Sequence, residues 1–269
     1  MIESYAAEGA EAGGHGAAAA GGMPNPMHQF EIKRLIPFEL FGVDASFTNS
    51  ALFMVIAGCV ITLFTVYAMH SRALVPTRIQ SVAELSYSFV ANMVRDNVGT
   101  DGMKYFPFIF TLFMFVLTLN MLGMLPYSFT VTSHIIVTFA LAALIFLGVT
   151  VIGFWKHGAG FLKFFVPEGV PVVLLPLLVV IEVISYLTRP ISLSVRLFAN
   201  MMAGHVMLEV FGAFVVMLGG AGIIFLIPAA FSLAVNVALI GFELLVATLQ
   251  AYVFAVLTCI YLHDAVHLH

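Results

Sequence analysis

Charge is what this sequence has least of. Only 9% of its 269 residues are Asp, Glu, Lys or Arg, against roughly 25% in soluble domains. A chain this poor in charge cannot clothe a water-facing surface. With 62% apolar residues and a mean hydropathy of +1.09, it reads as an integral membrane protein. The apolar runs are continuous rather than alternating, which excludes an outer-membrane barrel. No basic stripe is present, so nucleic-acid binding is not expected. The two cysteines, Cys59 and Cys259, both fall inside apolar runs and read as small hydrophobes rather than a disulfide framework. The start of the chain lacks a basic segment followed by an apolar core, so no secretory signal is expected. Residues 1–25, rich in Ala, Gly and Glu, hold too little apolar surface to order themselves and read as disordered. The rest, 26–269, reads as a single membrane domain.

What remains is a set of long apolar runs. Residues 105–155 and 210–242 contain no Asp, Glu, Lys or Arg. A spanning helix needs about 20 apolar residues, so the first run fits two spans and the second one long or tilted helix. Spans are expected at about 47–69, 106–125 and 135–155. His70, Arg72 and Arg78 follow the first span, and Lys156, His157 and Lys163 follow the third. Both clusters read as cytoplasmic, which puts the N-terminus outside and the C-terminus inside. Between the first two spans, Ile79, Val82, Leu85, Phe89 and Met93 recur at helical spacing among charges. That pattern predicts an amphipathic helix over 79–97, lying on the membrane surface. Residues 25–44 mix polar and apolar types and read as an interfacial or loop segment. Two helical patterns, 170–218 and 223–262, are too long to stand upright in a hydrocarbon core about 30 Å thick. Each is either broken into two spans or strongly tilted, with the glycine-rich turn at 219–222 joining them as a hairpin. The fold class is therefore all-α: about five membrane-embedded helices, the last two of them long, plus one amphipathic surface helix.

The few polar residues in those last regions are not scattered. Glu182, Ser185, Arg189, Ser192, Arg196 and Asn200 are spaced 3, 4, 3, 4 and 4 apart, on one face of one helix. Ala203 and Gly204 continue near that stripe and would let another helix approach closely. Asn236, Glu243 and Gln250 recur every seven residues, a second polar face. Two such faces on neighbouring helices suggest the lining of a shared hydrated path. A charge at the bilayer centre costs about 2.5–3.5 kcal/mol on insertion scales, and its default reading is an ion pathway or relay. The plainer reading is structural: Glu182 paired with Arg189, or His205 with Glu209. Arg196 has no acid three or four residues away, so its counter-charge must come from elsewhere in the fold or from a partner. His205 and Glu243 are the candidates for handling a proton; the plainer alternative is a hydrogen-bonded packing pair. His263, His267 and His269 read as a solvated tail rather than a metal site, and no cofactor is expected.

The stretch RPISLSVRLFANMMAGH at 189–205, followed by an acid and by LQAYVF at 249–254, resembles subunit a of the F-type ATP synthases. The resemblance extends to HQFEI near residue 30, FTNSALFM at 47–54 and LTLNMLGMLP at 117–126. It implies a stator subunit whose two long helices wrap a rotor ring, with half-channels carrying protons to and from rotor carboxylates. On that resemblance Arg196 is the essential stator charge, with Asn200 and Gln250 as its companions. Glu182 belongs to the inner aqueous path, and His205 and Glu243 form the interacting pair of the outer one. Ser185 and Asn236 are further proton-pathway candidates. One departure concerns Gly123, where some bacterial members carry an acid. Implied partners are the rotor c-ring, the peripheral-stalk b subunits, other ATP synthase subunits and the lipid bilayer. The subunit itself would do no covalent chemistry. The implied location is the bacterial plasma membrane, with the mitochondrial inner membrane as the alternative. A proton-coupled secondary transporter is the rival function, though no internal repeat relates 47–155 to 170–262. Neither a G-x-S-x-G elbow nor an H-E-x-x-H string occurs, which leaves an intramembrane hydrolase without its chemistry.

Overall fold

The computed structural model describes residues 30–37, 39–40, 43–44, 46–70, 76–125, 128–166 and 174–266. The expected disordered segment 1–25, Arg72, His267 and His269 lie outside the described residues.

Among the described residues the regular structure is helical apart from two small hairpins that precede the first span. Strand β1 (Arg34–Ile36) pairs antiparallel with β4 (Phe47–Thr48), with Arg34 opposite Thr48; β2 (Glu39–Leu40) pairs with β3 (Val43–Asp44). The segment read as a loop is thus partly paired, in strands too short to show a period of two. Asn49 ties this region to the first helix. Its side chain accepts from the Lys33 N–H at 3.2 Å and donates to the Glu31 carbonyl at 3.1 Å.

Helix α1 (Asn49–Ala68) starts at Thr48, whose hydroxyl accepts from the Ala51 N–H, satisfying one orphan donor of the first turn. Helix α2 (Arg78–Val98) is capped in the same way by Thr77 and ends at Gly99, whose φ of +86° suits glycine. It is amphipathic, but its buried face is Val90, Val94 and Val98 together with Ala91 and Met93, while Ile79, Val82, Leu85 and Phe89 are exposed. The stripe expected from spacing therefore faces away from the chain's own core along most of the helix. Helix α3 (Phe106–Gly123) follows a short 3₁₀ turn, and α4 (Ile135–His157) ends at Gly158, with φ +54°.

The last two helices are unbroken. Helix α5 (Leu175–Gly220) has 46 residues and α6 (Leu226–Val266) has 41, so they measure about 69 Å and about 62 Å. Pro190 lies inside α5 without ending it, although it removes one backbone donor. Of the two expectations for these regions, continuous helices are found. Helices twice as long as the hydrocarbon core is thick can be accommodated only at a steep incline. The turn between them is made at Gly222, with φ +119°. Among the described residues five helical stretches are long and apolar enough to cross a membrane: Asn49–Ala68, Thr100–Gly123, Ile135–His157, Leu175–Gly220 and Ile223–Val266. Helix α6 packs against α2, α3, α4 and α5 and so holds the bundle together. The core gathers Val90, Ile109, Val116, Ile145, Leu197 and Phe254 around it. At its C-terminal end, Lys156 and His157 both reach the Val266 carbonyl at 3.1 Å, placing basic groups where the helix dipole is negative.

Candidate functional site

Two polar centres lie along the α5–α6 pair, on different sides of α5. The first is buried. His205 Nε2 stands 3.4 Å from Glu243 Oε1, with side chains 10% and 4% exposed. Gly204 makes that approach feasible: a Cβ there would meet Glu243 Oε1 at 2.9 Å. His205 Nε2 also lies 3.1 Å from Thr130 Oγ1, in the turn before α4. The Phe30 ring stands edge-on to His205, 6.3 Å between centroids. A cavity of about 1060 Å³ opens onto this pair, lined among others by Glu31, Lys33, Asn49, Ser128, Glu209 and Asn236. The cavity thus extends from the side of the small hairpins to Glu243.

Helix α6 turns its polar face toward α5. Ser232 Oγ donates to the Phe211 carbonyl at 3.0 Å, and Asn236 Nδ2 to the Leu208 carbonyl at 3.4 Å. Two turns beyond Glu243 along α6, Gln250 Oε1 accepts from Asn200 Nδ2 at 3.0 Å. Asn236, Glu243 and Gln250 thus all lie at the α5 interface.

The second centre lies on the outward face of α5. Ser185, Ser192, Arg196 and Asn200 are exposed, and Glu182 is half-buried. The expected shared lining is therefore corrected. The α6 stripe faces α5, but most of the α5 stripe faces away from α6, and Asn200 is where the two meet. The helical angle explains the separation. From Glu182 to Asn200 is five full turns, whereas His205 lies about 140° round the helix from that line at about 100° per residue.

Arg189 leaves the stripe by a long reach. Its Nη1 donates to Asp264 Oδ2 at 2.9 Å, and the guanidinium lies over the rings of Tyr186 and Tyr261 at 5.5 and 5.1 Å. The structural pairs weighed from sequence are accordingly replaced: Arg189 meets Asp264 rather than Glu182, and His205 meets Glu243 rather than Glu209. Seven residues along a helix span about 10.5 Å, too far for a short glutamate to close easily. Among the described residues, Arg196 makes no ion pair. Sequence reasoning missed Thr130, Asp264 and Asn120. Asn120 is wholly buried and donates to the Ala247 carbonyl at 3.1 Å. Their partners are distant in sequence, and no local pattern marks them. Among the described residues no group of His, Cys, Asp and Glu is placed to hold a metal.

A family model described as "ATP synthase A chain" matches residues 51–263. A protein of Chelativorans sp. (strain BNC1) named "ATP synthase subunit a" is 63% identical over 243 residues, covering 90% of this chain and 98% of that relative. Its namesake in Parvibaculum lavamentivorans is 59% identical over 248 residues, covering 92% and 95%. That of Pelagibacter ubique is 60% identical over 246 residues, covering 91% and 98%.

Proposed function

The chain belongs to the ATP synthase A chain family, and from that premise we propose that it is the stator subunit that passes protons to and from a rotor ring. It is a membrane protein with apolar helices whose business is proton transport coupled to ATP synthesis. The observation that carries the finer reading is the contrast between the two centres. One is a buried acid–histidine pair at the end of an open cavity. The other is a permanent cation on an exposed helix face that makes no ion pair among the described residues.

Arginine keeps its charge at any physiological pH. In a low-dielectric setting it attracts an ionised carboxylate strongly. A rotor helix bearing a carboxylate supplies that partner in trans, so Arg196 holds each passing carboxylate in its ionised form. A proton arriving through the outer cavity passes the His205–Glu243 pair and neutralises the rotor carboxyl, which then leaves the arginine for lipid. A carboxyl arriving from the other side releases its proton past Ser185 and Glu182. Because Arg196 cannot give up its proton, the two half-channels never connect. Asn200 and Gln250, bonded to each other at 3.0 Å, brace the two helices beside it. The driving force is about 2.3 kcal/mol per charge per 100 mV.

The partners are the rotor ring, the peripheral-stalk b subunits and the remaining subunits of the complex. The subunit itself is non-catalytic. It sits in the bacterial plasma membrane with the N-terminus outside and the C-terminus in the cytoplasm. A proton-coupled transporter has no support beside the family membership.

The test is proximity in the assembled complex. Ser192→Cys, on the same exposed face as Arg196, is paired with cysteines scanned along the rotor helix around its carboxylate. Cross-linking confined to rotor positions within a turn of that carboxylate is expected, with rotation blocked. Absence of any cross-link from this face, while a control cysteine elsewhere on α5 does react, contradicts the reading.

A further inference from the structure

Resting on the reading of His205 and Glu243 as the outer proton path, we infer that Thr130 is a positioning residue that fixes which nitrogen of His205 carries the proton. The inference follows from counting hydrogens. The Thr130 hydroxyl has one to donate. Its Oγ1 lies 3.2 Å from the Gly123 carbonyl and 3.1 Å from His205 Nε2. A carbonyl only accepts, and Gly123 is the last residue of α3, whose final carbonyls have no partner within the helix. The other hydroxyl near that oxygen, Ser128 Oγ, lies closer to the Leu122 and Leu125 carbonyls, the latter at 2.7 Å. The Thr130 hydrogen therefore points to Gly123. Its oxygen is left to accept, and the donor to it must be His205 Nε2–H.

That assignment has a consequence at the carboxylate. The proton on Nε2 faces Thr130 Oγ1 and, 3.4 Å away, Glu243 Oε1. The lone pair of the neutral ring is then on Nδ1. Without the hydroxyl, nothing among the described residues opposes rotation of the ring or transfer of its proton to Nδ1, which would turn a lone pair toward the Glu243 oxygens. Among the described residues neither Glu243 oxygen has a hydrogen-bond partner of its own, and the Nε2–H is a donor 3.4 Å from Oε1. Gly123 takes part through its missing side chain, because a Cβ there would strike Thr130 Cγ2 at 2.9 Å.

The experiment compares Thr130→Val, Thr130→Ser and His205→Ala, alone and combined, in the assembled complex in membrane vesicles. ATP-driven proton pumping is read across pH, beside the amount of subunit retained. The titratable groups lining the same cavity (Glu31, Lys33, Glu209 and Glu243) are unchanged throughout. Loss of one uncharged hydrogen bond predicts a fall between about twofold and about tenfold for the valine variant. Serine should restore pumping, and valine should cost nothing further in the His205→Ala background. If the valine variant does not assemble, Thr130→Ala removes the same hydroxyl without added bulk and is read in the same way. Full pumping by the variant lacking the hydroxyl overturns the inference. So does a serine variant as impaired as valine, or a loss that adds to that of His205→Ala. Should His205→Ala itself pump normally, it is the underlying proton path that fails.

Discussion

Gly204→Ala is the smallest change that should disturb proton transfer without touching a titratable group. In the structure its new Cβ would stand 2.9 Å from Glu243 Oε1, 3.2 Å from Cδ and 3.4 Å from Cγ. Comfortable contacts between carbon atoms begin near 3.5 Å, so the carboxylate must retreat by about 0.5 Å or α5 and α6 must part. Overpacking of this kind costs about 1–3 kcal/mol. The low end applies, because what must yield is the tip of a flexible side chain rather than backbone. The retreat takes Glu243 away from His205 and from a contact already at 3.4 Å. At about 1 kcal/mol the transfer slows about fivefold. The assay is ATP-driven acidification of vesicles together with passive proton conduction through the membrane sector, normalised to assembled subunit. Assembly should be near normal and both proton fluxes reduced. Unchanged flux with normal assembly would refute the argument that the Glu243–His205 distance matters; loss of assembly would show that the helices, not the carboxylate, give way.

Three other outcomes follow from the geometry. Asn120→Ala removes a wholly buried side chain and its bond to the Ala247 carbonyl. It should destabilise the α3–α6 contact by about 1–3 kcal/mol, visible as a lower melting temperature of the detergent-solubilised complex. Asp264→Asn should cost less than about 1 kcal/mol in the same measurement, because Arg189 and Asp264 are 21% and 30% exposed and Arg189 keeps its two tyrosine rings. His134, just before α4 and stacked on Phe129 at 5.0 Å, is held below the usual histidine range by burial. Its neutral form is favoured in the folded protein, so the stability it confers is full above the unfolded value of about 6.5 and falls as pH drops below it. The melting temperature of His134→Asn should therefore decline less between pH 7 and pH 5 than that of the parent.

Periodicity carried much of this architecture, and its failures have physical reasons. The α5 stripe was legible because Glu182 to Asn200 is a whole number of turns, so all six residues stay in line. Which way the stripe faces was not legible. Spacing says that residues share a face but not what the face meets, and the exposed Arg196 and the buried Gln250 look alike in sequence. Ala203 and Gly204 marked a close approach, but the atom that fills the gap at Gly204, a glutamate oxygen on another helix, was not foreseeable. Helix α2 showed the same ambiguity. Its apolar spacing was plain, yet Ile79 to Phe89 face outward while Val90, Val94 and Val98 face the core, because lipid and protein interior both accept apolar side chains. Strands of two or three residues at 34–48 are too short for alternation to register. The Thr130–His205 and Arg189–Asp264 contacts join positions 75 residues apart, which only the fold brings together.

The central claim is that Arg196, which makes no ion pair among the described residues, is the charge against which rotor carboxylates are held and the barrier between the half-channels. It is tested most directly by Arg196→Ala in the assembled complex, with ATP-driven proton pumping measured in vesicles that retain normal amounts of the subunit. The account predicts that pumping is abolished with assembly intact. Pumping at the parental rate would make Arg196 a merely structural charge and would contradict the mechanism.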